Sequence, residues 1–109
     1  MARFDALEVA IETLRVARPL FEAIGKRDAD LKDQALRAGK SVALNVAEGG
    51  RRVGRDRTHH FTIASGSAEE LAAALRIAEA LGYLDAGESR PALELVDREQ
   101  AMLTRLRGR

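Results

Sequence analysis

The sequence predicts an all-α protein, an antiparallel up-down-up-down four-helix bundle, and three observations carry that prediction. Ala, Leu, Glu and Arg dominate a chain that holds only four aromatic residues, Phe4, Phe21, Phe61 and Tyr83. That is the vocabulary of helices rather than of half-buried strands. Apolar residues recur at three- and four-residue steps along four separate stretches. The joints between those stretches are short, so consecutive helices are expected to run antiparallel. The 109 residues make one domain of ordinary size, spanning 1–109, with no internal repeat and no low-complexity segment.

In the first stretch Phe4, Leu7, Ile11 and Leu14 alternate with Asp5, Glu8, Glu12 and Arg15, an amphipathic helix. Pro19 removes a backbone donor and predicts a kink, while Leu20, Phe21 and Ile24 continue the apolar face to a stop near Gly25. The second helix is expected to begin at Asp28 or Asp30, with a seam of Leu31, Ala35, Ala38, Val42, Asn45 and Gly49 widened by Leu44 and Val46. Gly49 and Gly50 should end it, because glycine takes the left-handed conformation of a helix terminus without steric penalty. A third helix is expected from Asp56 to Gly82 on a seam of Phe61, Ala64, Ala68, Leu71, Leu75 and Ala78. The last opens with Glu88 or Ser89 as cap and Pro91 in its first turn, and buries Leu93, Leu95, Val96, Met102, Leu103 and Leu106. Gly39 and Gly66 each cost a helix about 1 kcal/mol relative to alanine. A close approach of the second and third helices is the expected compensation.

Composition excludes several classes of function. The chain is 46% hydrophobic and 32% charged, with 18 Lys and Arg against 17 Asp and Glu, so it is apolar enough to fold. It has no cysteine, hence no disulfide framework and no thiolate site, and a cytoplasmic location is the default expectation. Neither a signal peptide nor a stretch of the ~18 apolar residues of a membrane span occurs. No histidine stands with an activated serine and an acid in recognisable order, and "EGGRRVGRDR" lacks the Gly-Lys-Ser/Thr ending of a P-loop. The chain reads as a non-enzyme without a cofactor.

Polar residues in the helical seams leave two readings. Asn45 and Glu48 share one helix face, and Ser67 and Glu70 share one on the facing helix. The plainer reading is a structural network in which Asn45 and Ser67 bond and the two glutamates sit at its rim. The sharper one is a carboxylate metal site, which needs a Glu-x-x-His pair. Neither His59 nor His60 has a glutamate three residues before it, so no metal is expected.

Charge is informative when divided along the chain. Residues 1–48 balance eight basic against eight acidic side chains, and residues 61–109 carry six against eight. Residues 49–60 hold Arg51, Arg52, Arg55 and Arg57 against Asp56 alone, beside His59 and His60. This basic joint adjoins the N-terminus of the third helix, whose free amides and partial positive charge attract anions. Either it is a solvated turn paired with nearby acids, or these six residues contact nucleic acid. With no aromatic residue among the arginines, contact would run through phosphates and shape rather than base stacking.

Three segments carry a family resemblance: Leu44-Asn45-x-Ala47-Glu48-Gly49, Gly66-Ser67-x-x-Glu70-Leu71 and Leu81-Gly82-Tyr83-Leu84. Across residues 31–85 the chain resembles the four-helix-bundle family of 23S rRNA intervening-sequence proteins, which is related to the accessory variability determinant of diversity-generating retroelements. The resemblance implies a ring-like homopentamer without catalytic activity. In the retroelement branch it implies a partner of a reverse transcriptase that binds nucleic acid. Asn45, Glu48, Ser67 and Glu70 fall on the family's signature positions, which implies a shared structural network. The chain departs from the retroelement type in its near-neutral charge and in carrying Gly39 and Lys40 where small apolar residues are expected.

The expected function is a non-catalytic oligomeric scaffold that contacts RNA, DNA or a nucleic-acid enzyme such as a reverse transcriptase through the basic joint. Its rival is a purely protein-binding assembly module with an inert joint. A small-ligand or metal-binding bundle is a third reading.

Overall fold

The structure, a computed structural model, describes residues 2–108, with side chains from Asp5 onward. Four helices account for nearly all of them: α1 (Ala2–Gly25), α2 (Ala29–Gly50), α3 (Gly54–Ala80) and α4 (Ala86–Arg107). No strand occurs among the described residues. Each helix packs against its neighbours in sequence, α4 closes on α1, and the pairing of α2 with α3 is the most extensive. The result is a four-helix bundle measuring 42 × 23 × 19 Å along its principal axes.

Local chemistry sets most of the boundaries. Asp28 caps α2 by accepting from the Leu31 amide at 2.9 Å, which satisfies one of the donors left orphaned by the first turn. At the end of α3, Gly82 takes φ +80°. The Gly82 amide donates to the Glu79 carbonyl and the Tyr83 amide to the Ala78 carbonyl, the paired pattern of a Schellman terminus. The Tyr83 hydroxyl then reaches Asp28 at 3.3 Å, and the Arg27 guanidinium lies over the Tyr83 ring. The α1–α2 and α3–α4 joints are thereby tied together at one end of the bundle.

The seam of α3 is buried as expected, from Phe61 through Ala78. Other helices differ. In α1 the centre of the core is taken by Ala6, Val9, Ala10 and Ala17, while Leu7, Ile11 and Leu14 lie half-buried to one side. Small side chains let the neighbouring helices come close, and the longer ones wrap around the contact. The expected seam position Phe4 lies outside the residues with described side chains. Helix α1 continues through Pro19, which is exposed, to Gly25.

Leu44 does not widen the α2 stripe but stands 69% exposed, whereas Val46 is fully in the core and displaces Asn45 from it. Gly49 and Gly50 are the last two helical residues of α2, and neither has a positive φ. The α3 helix starts earlier than Asp56, at Gly54 with φ +63°. Helix α4 also starts earlier, capped by Asp85, whose amide donates to Glu88 Oε1 at 2.8 Å. Pro91 consequently lies in the second turn rather than the first.

The two interior glycines part company. A Cβ on Gly39 would lie 2.8 Å from Leu14 Cδ2, so the close approach exists but comes from an α1 side chain rather than from α3. Around Gly66 there is open space, and the residue is exposed.

Candidate nucleic-acid interface

The basic joint sits on the corner where α2 hands over to α3, and Gly49 explains its shape. A Cβ there would lie 2.6 Å from Phe61 Cε1, so only a glycine lets the last turn of α2 rest on that ring. The Arg57 guanidinium also sits over this ring, 5.0 Å from the Phe61 centroid, a cation–π contact that orients the side chain without neutralising it.

Arg52 is differently placed. It donates from Nε to Glu48 at 2.9 Å and from Nη1 to Asp56 at 2.7 Å, clamping the end of α2 to the first turn of α3. The Arg52 hydrogen bond, helped by the charges of Arg51, Arg52 and His60, holds the Glu48 carboxyl below its usual range. The Glu48 hydrogen bond and the Asp56 charge in turn hold Arg52 more firmly protonated. Arg52 thus braces the joint, its guanidinium paired with a carboxylate on each side. Glu48 likewise belongs to this brace and not to a network with Asn45.

His60 also turns inward. Asn45 donates through Nδ2 to the Ser41 carbonyl at 3.0 Å and lies 3.2 Å from Ser41 Oγ. Its Oδ1 therefore accepts, and His60 Nδ1, at 3.0 Å, carries the proton. Ser41 Oγ meets Ser67 Oγ at 2.7 Å. The chain Ser67–Ser41–Asn45–His60 thus cross-links α2 and α3. Asn45 and Ser67 do belong to one network, but through Ser41, which sequence reasoning passed over, and with His60 as its far member. Ser41 stands four residues before Asn45 on the same face, which is the signal that was there to read. Glu70 is exposed and makes no hydrogen bond or ion pair among the described residues, so it is not part of the network.

Arg51, Arg55 and His59 remain exposed at the corner, with Arg57 half-buried beside them. Neither Arg51 nor Arg55 forms an ion pair among the described residues. An open depression lined by Gly54, Arg55, Arg57, Thr58, His59 and Thr62 lies over the first turns of α3. The N-cap residue Val53 supplies no side-chain acceptor, so the first amides of α3 are left to solvent or a ligand. Thr58 and Thr62 spend their hydroxyl protons on the carbonyls of Gly54 and Thr58. Within this corner four arginines face two carboxylates, Glu48 and Asp56, so the surface stays basic after its internal pairing.

Among the described residues no three His, Asp or Glu side chains gather closely enough to hold a metal ion. None of the helices among the described residues is long and apolar enough to cross a membrane.

An all-helical four-helix bundle with a basic corner is the class that fold and site define. The chain belongs to the 23S rRNA-intervening sequence protein family, which it matches over residues 5–105. Its fold is similar to the crystal structure of a protein of unknown function from the S23 ribosomal protein family of Bacteroides thetaiotaomicron VPI-5482. The two superpose with a TM-score of 0.87 at 18% identity, covering 100% of both chains. No curated protein matches the chain.

Proposed function

We propose that the protein is a non-catalytic, self-associating helical scaffold that contacts the phosphate backbone of a nucleic acid through Arg51, Arg55, Arg57 and His59. The observation that carries this reading is the separation of roles at the corner. Arg52 absorbs the local carboxylates, while Arg51 and Arg55 are left exposed, with Arg57 half-buried beside them, around uncapped helix amides. Guanidinium groups and backbone amides together are the usual means of binding phosphate. Family membership adds an association with ribosomal RNA intervening sequences by name alone.

Self-association is supported by α3. Ile63, Gly66, Glu70, Ala73, Ile77 and Ala80 recur at alternating steps of three and four, and all are exposed. This is a second seam with coiled-coil spacing on a helix whose first seam is already in the core. It gives Gly66 a reason, since a glycine with nothing near it in its own chain admits close approach by another. The resemblance described above makes a homopentamer the expected assembly and a reverse transcriptase one candidate partner.

Fluorescence anisotropy with structured RNA, duplex DNA and an RNA:DNA hybrid, at low and near-physiological salt, tests the reading. Binding that weakens with salt and disappears in the Arg51→Glu, Arg55→Glu, Arg57→Glu triple variant is expected. Absence of binding at low salt, or binding untouched by the reversal, would leave the protein-binding assembly module as the function.

A further inference from the structure

Among the described residues Glu99 is the one side chain of an ionisable type that is buried in the core. It is 1% exposed, and neither carboxyl oxygen has a hydrogen-bond partner among the described residues. Beside it lies a cavity of about 10 Å³ walled by Ala10 and Thr13 of α1, Gly39 and Val42 of α2, and Ala68 and Leu71 of α3. That is room for about one water molecule. Apart from Glu99, no titratable or charged group contributes to the lining from any of the four helices. The Thr13 hydroxyl donates its proton to the Val9 carbonyl at 2.7 Å. It therefore offers the cavity lone pairs and no donor, which suits a protonated acid and repels a carboxylate.

We propose that Glu99 and Thr13 form a buried proton site with one internal water, and that release of this proton is coupled to loosening of the bundle. In the neutral form the acid donates to the water, and the water donates to the remaining carboxyl oxygen and to the Thr13 hydroxyl oxygen. In the ionised form the site has one water proton pair at most to stabilise a full charge among apolar walls. The next residue holds the acid in place. Gln100 accepts from Ser65 Oγ at 2.8 Å and donates to the Ser65 carbonyl at 2.9 Å, so α4 cannot turn Glu99 outward without breaking both bonds. Burial pushes the Glu99 carboxyl up to about 8.

The sign of the effect follows from that elevation. The folded chain keeps the proton up to about pH 8, whereas the unfolded chain releases it near the ordinary value of 4.5. Between those limits unfolding releases one proton, so this group's stabilising contribution is complete below the lower limit and lost on approaching the upper. The unfolding equilibrium constant then rises about tenfold per pH unit across that window.

The test is urea unfolding of the full chain between about pH 5 and about pH 8, in the original protein, Glu99→Gln and Thr13→Val, beside carbon NMR of the glutamate carboxyls. The original protein should show the tenfold dependence per unit and Glu99→Gln should lack it. Every other ionisable group is common to both proteins and cancels in the comparison. One glutamate carboxyl should titrate near the elevated value in the original protein, be missing in Glu99→Gln, and shift in Thr13→Val. Equal pH dependence in the original and Glu99→Gln proteins, or every carboxyl titrating in the ordinary range, would overturn the proposal. An unshifted resonance in Thr13→Val would overturn the part given to Thr13. If Glu99→Gln fails to fold, the titration of the original protein decides alone.

Discussion

Gly49 and Gly66 are both helical glycines in a seam, and their surroundings give them opposite consequences. At Gly49 a methyl group would meet the Phe61 ring at 2.6 Å. Overpacking of that kind costs about 1–3 kcal/mol, which exceeds the roughly 1 kcal/mol that alanine gains in helix propensity. Gly49→Ala should therefore lower the urea midpoint. Gly66→Ala meets nothing within 4 Å in its own chain, so it should raise the stability of the isolated chain by up to about 1 kcal/mol. If α3 is an interface, the same substitution should weaken self-association in sedimentation experiments. A Gly66→Ala variant that assembles as before would remove the exposed seam from the interface.

At the scale of elements, the α2–α3 joint separates two kinds of arginine. Arg52→Ala removes the bridge between Glu48 and Asp56, but those groups are largely open to solvent, so the urea midpoint should fall only slightly. Nucleic-acid affinity should change little, whereas Arg55→Ala should leave stability intact and reduce affinity. Anisotropy and urea unfolding on the same two proteins check the contrast. The sequence shows that four arginines share the joint, and among them Arg52 alone stands four residues from an acid on either side, Glu48 and Asp56, which is the signal that marks it as the paired one.

The seams were legible in the same uneven way. Phe61 to Ala78 could be read directly, since large and small apolar residues alternate with polar ones throughout. In α1 the eye follows Leu7, Ile11 and Leu14, yet close helix packing selects the alanine face. Glu99 was passed over because charged residues are taken for surface, although it stands three residues after Val96 and four before Leu103, on the seam itself. Helix starts at Gly54 and Ala86 were missed because a left-handed glycine and an Asp85 cap read as loop until the fold places them.

For the whole molecule, the near-neutral charge and the basic corner make opposite statements about nucleic-acid binding, and salt dependence distinguishes them. A chain with net charge +1 has little long-range attraction for phosphate as a monomer. Its binding would come from the few guanidinium groups that touch the backbone. Three such contacts displace about three counterions' worth of charge, which predicts a slope of about −2.7 in log affinity against log salt for one protomer on duplex DNA. An assembly that brings several corners onto one strand would multiply both the slope and the affinity, because each added corner binds at high effective concentration. Measured on the Gly66→Ala protein if that variant dissociates, the slope should fall toward the single-protomer value while the contacts at each corner persist. A slope that is the same in assembled and dissociated forms would mean that only one corner engages at a time, and the field of the assembly would play no part in binding.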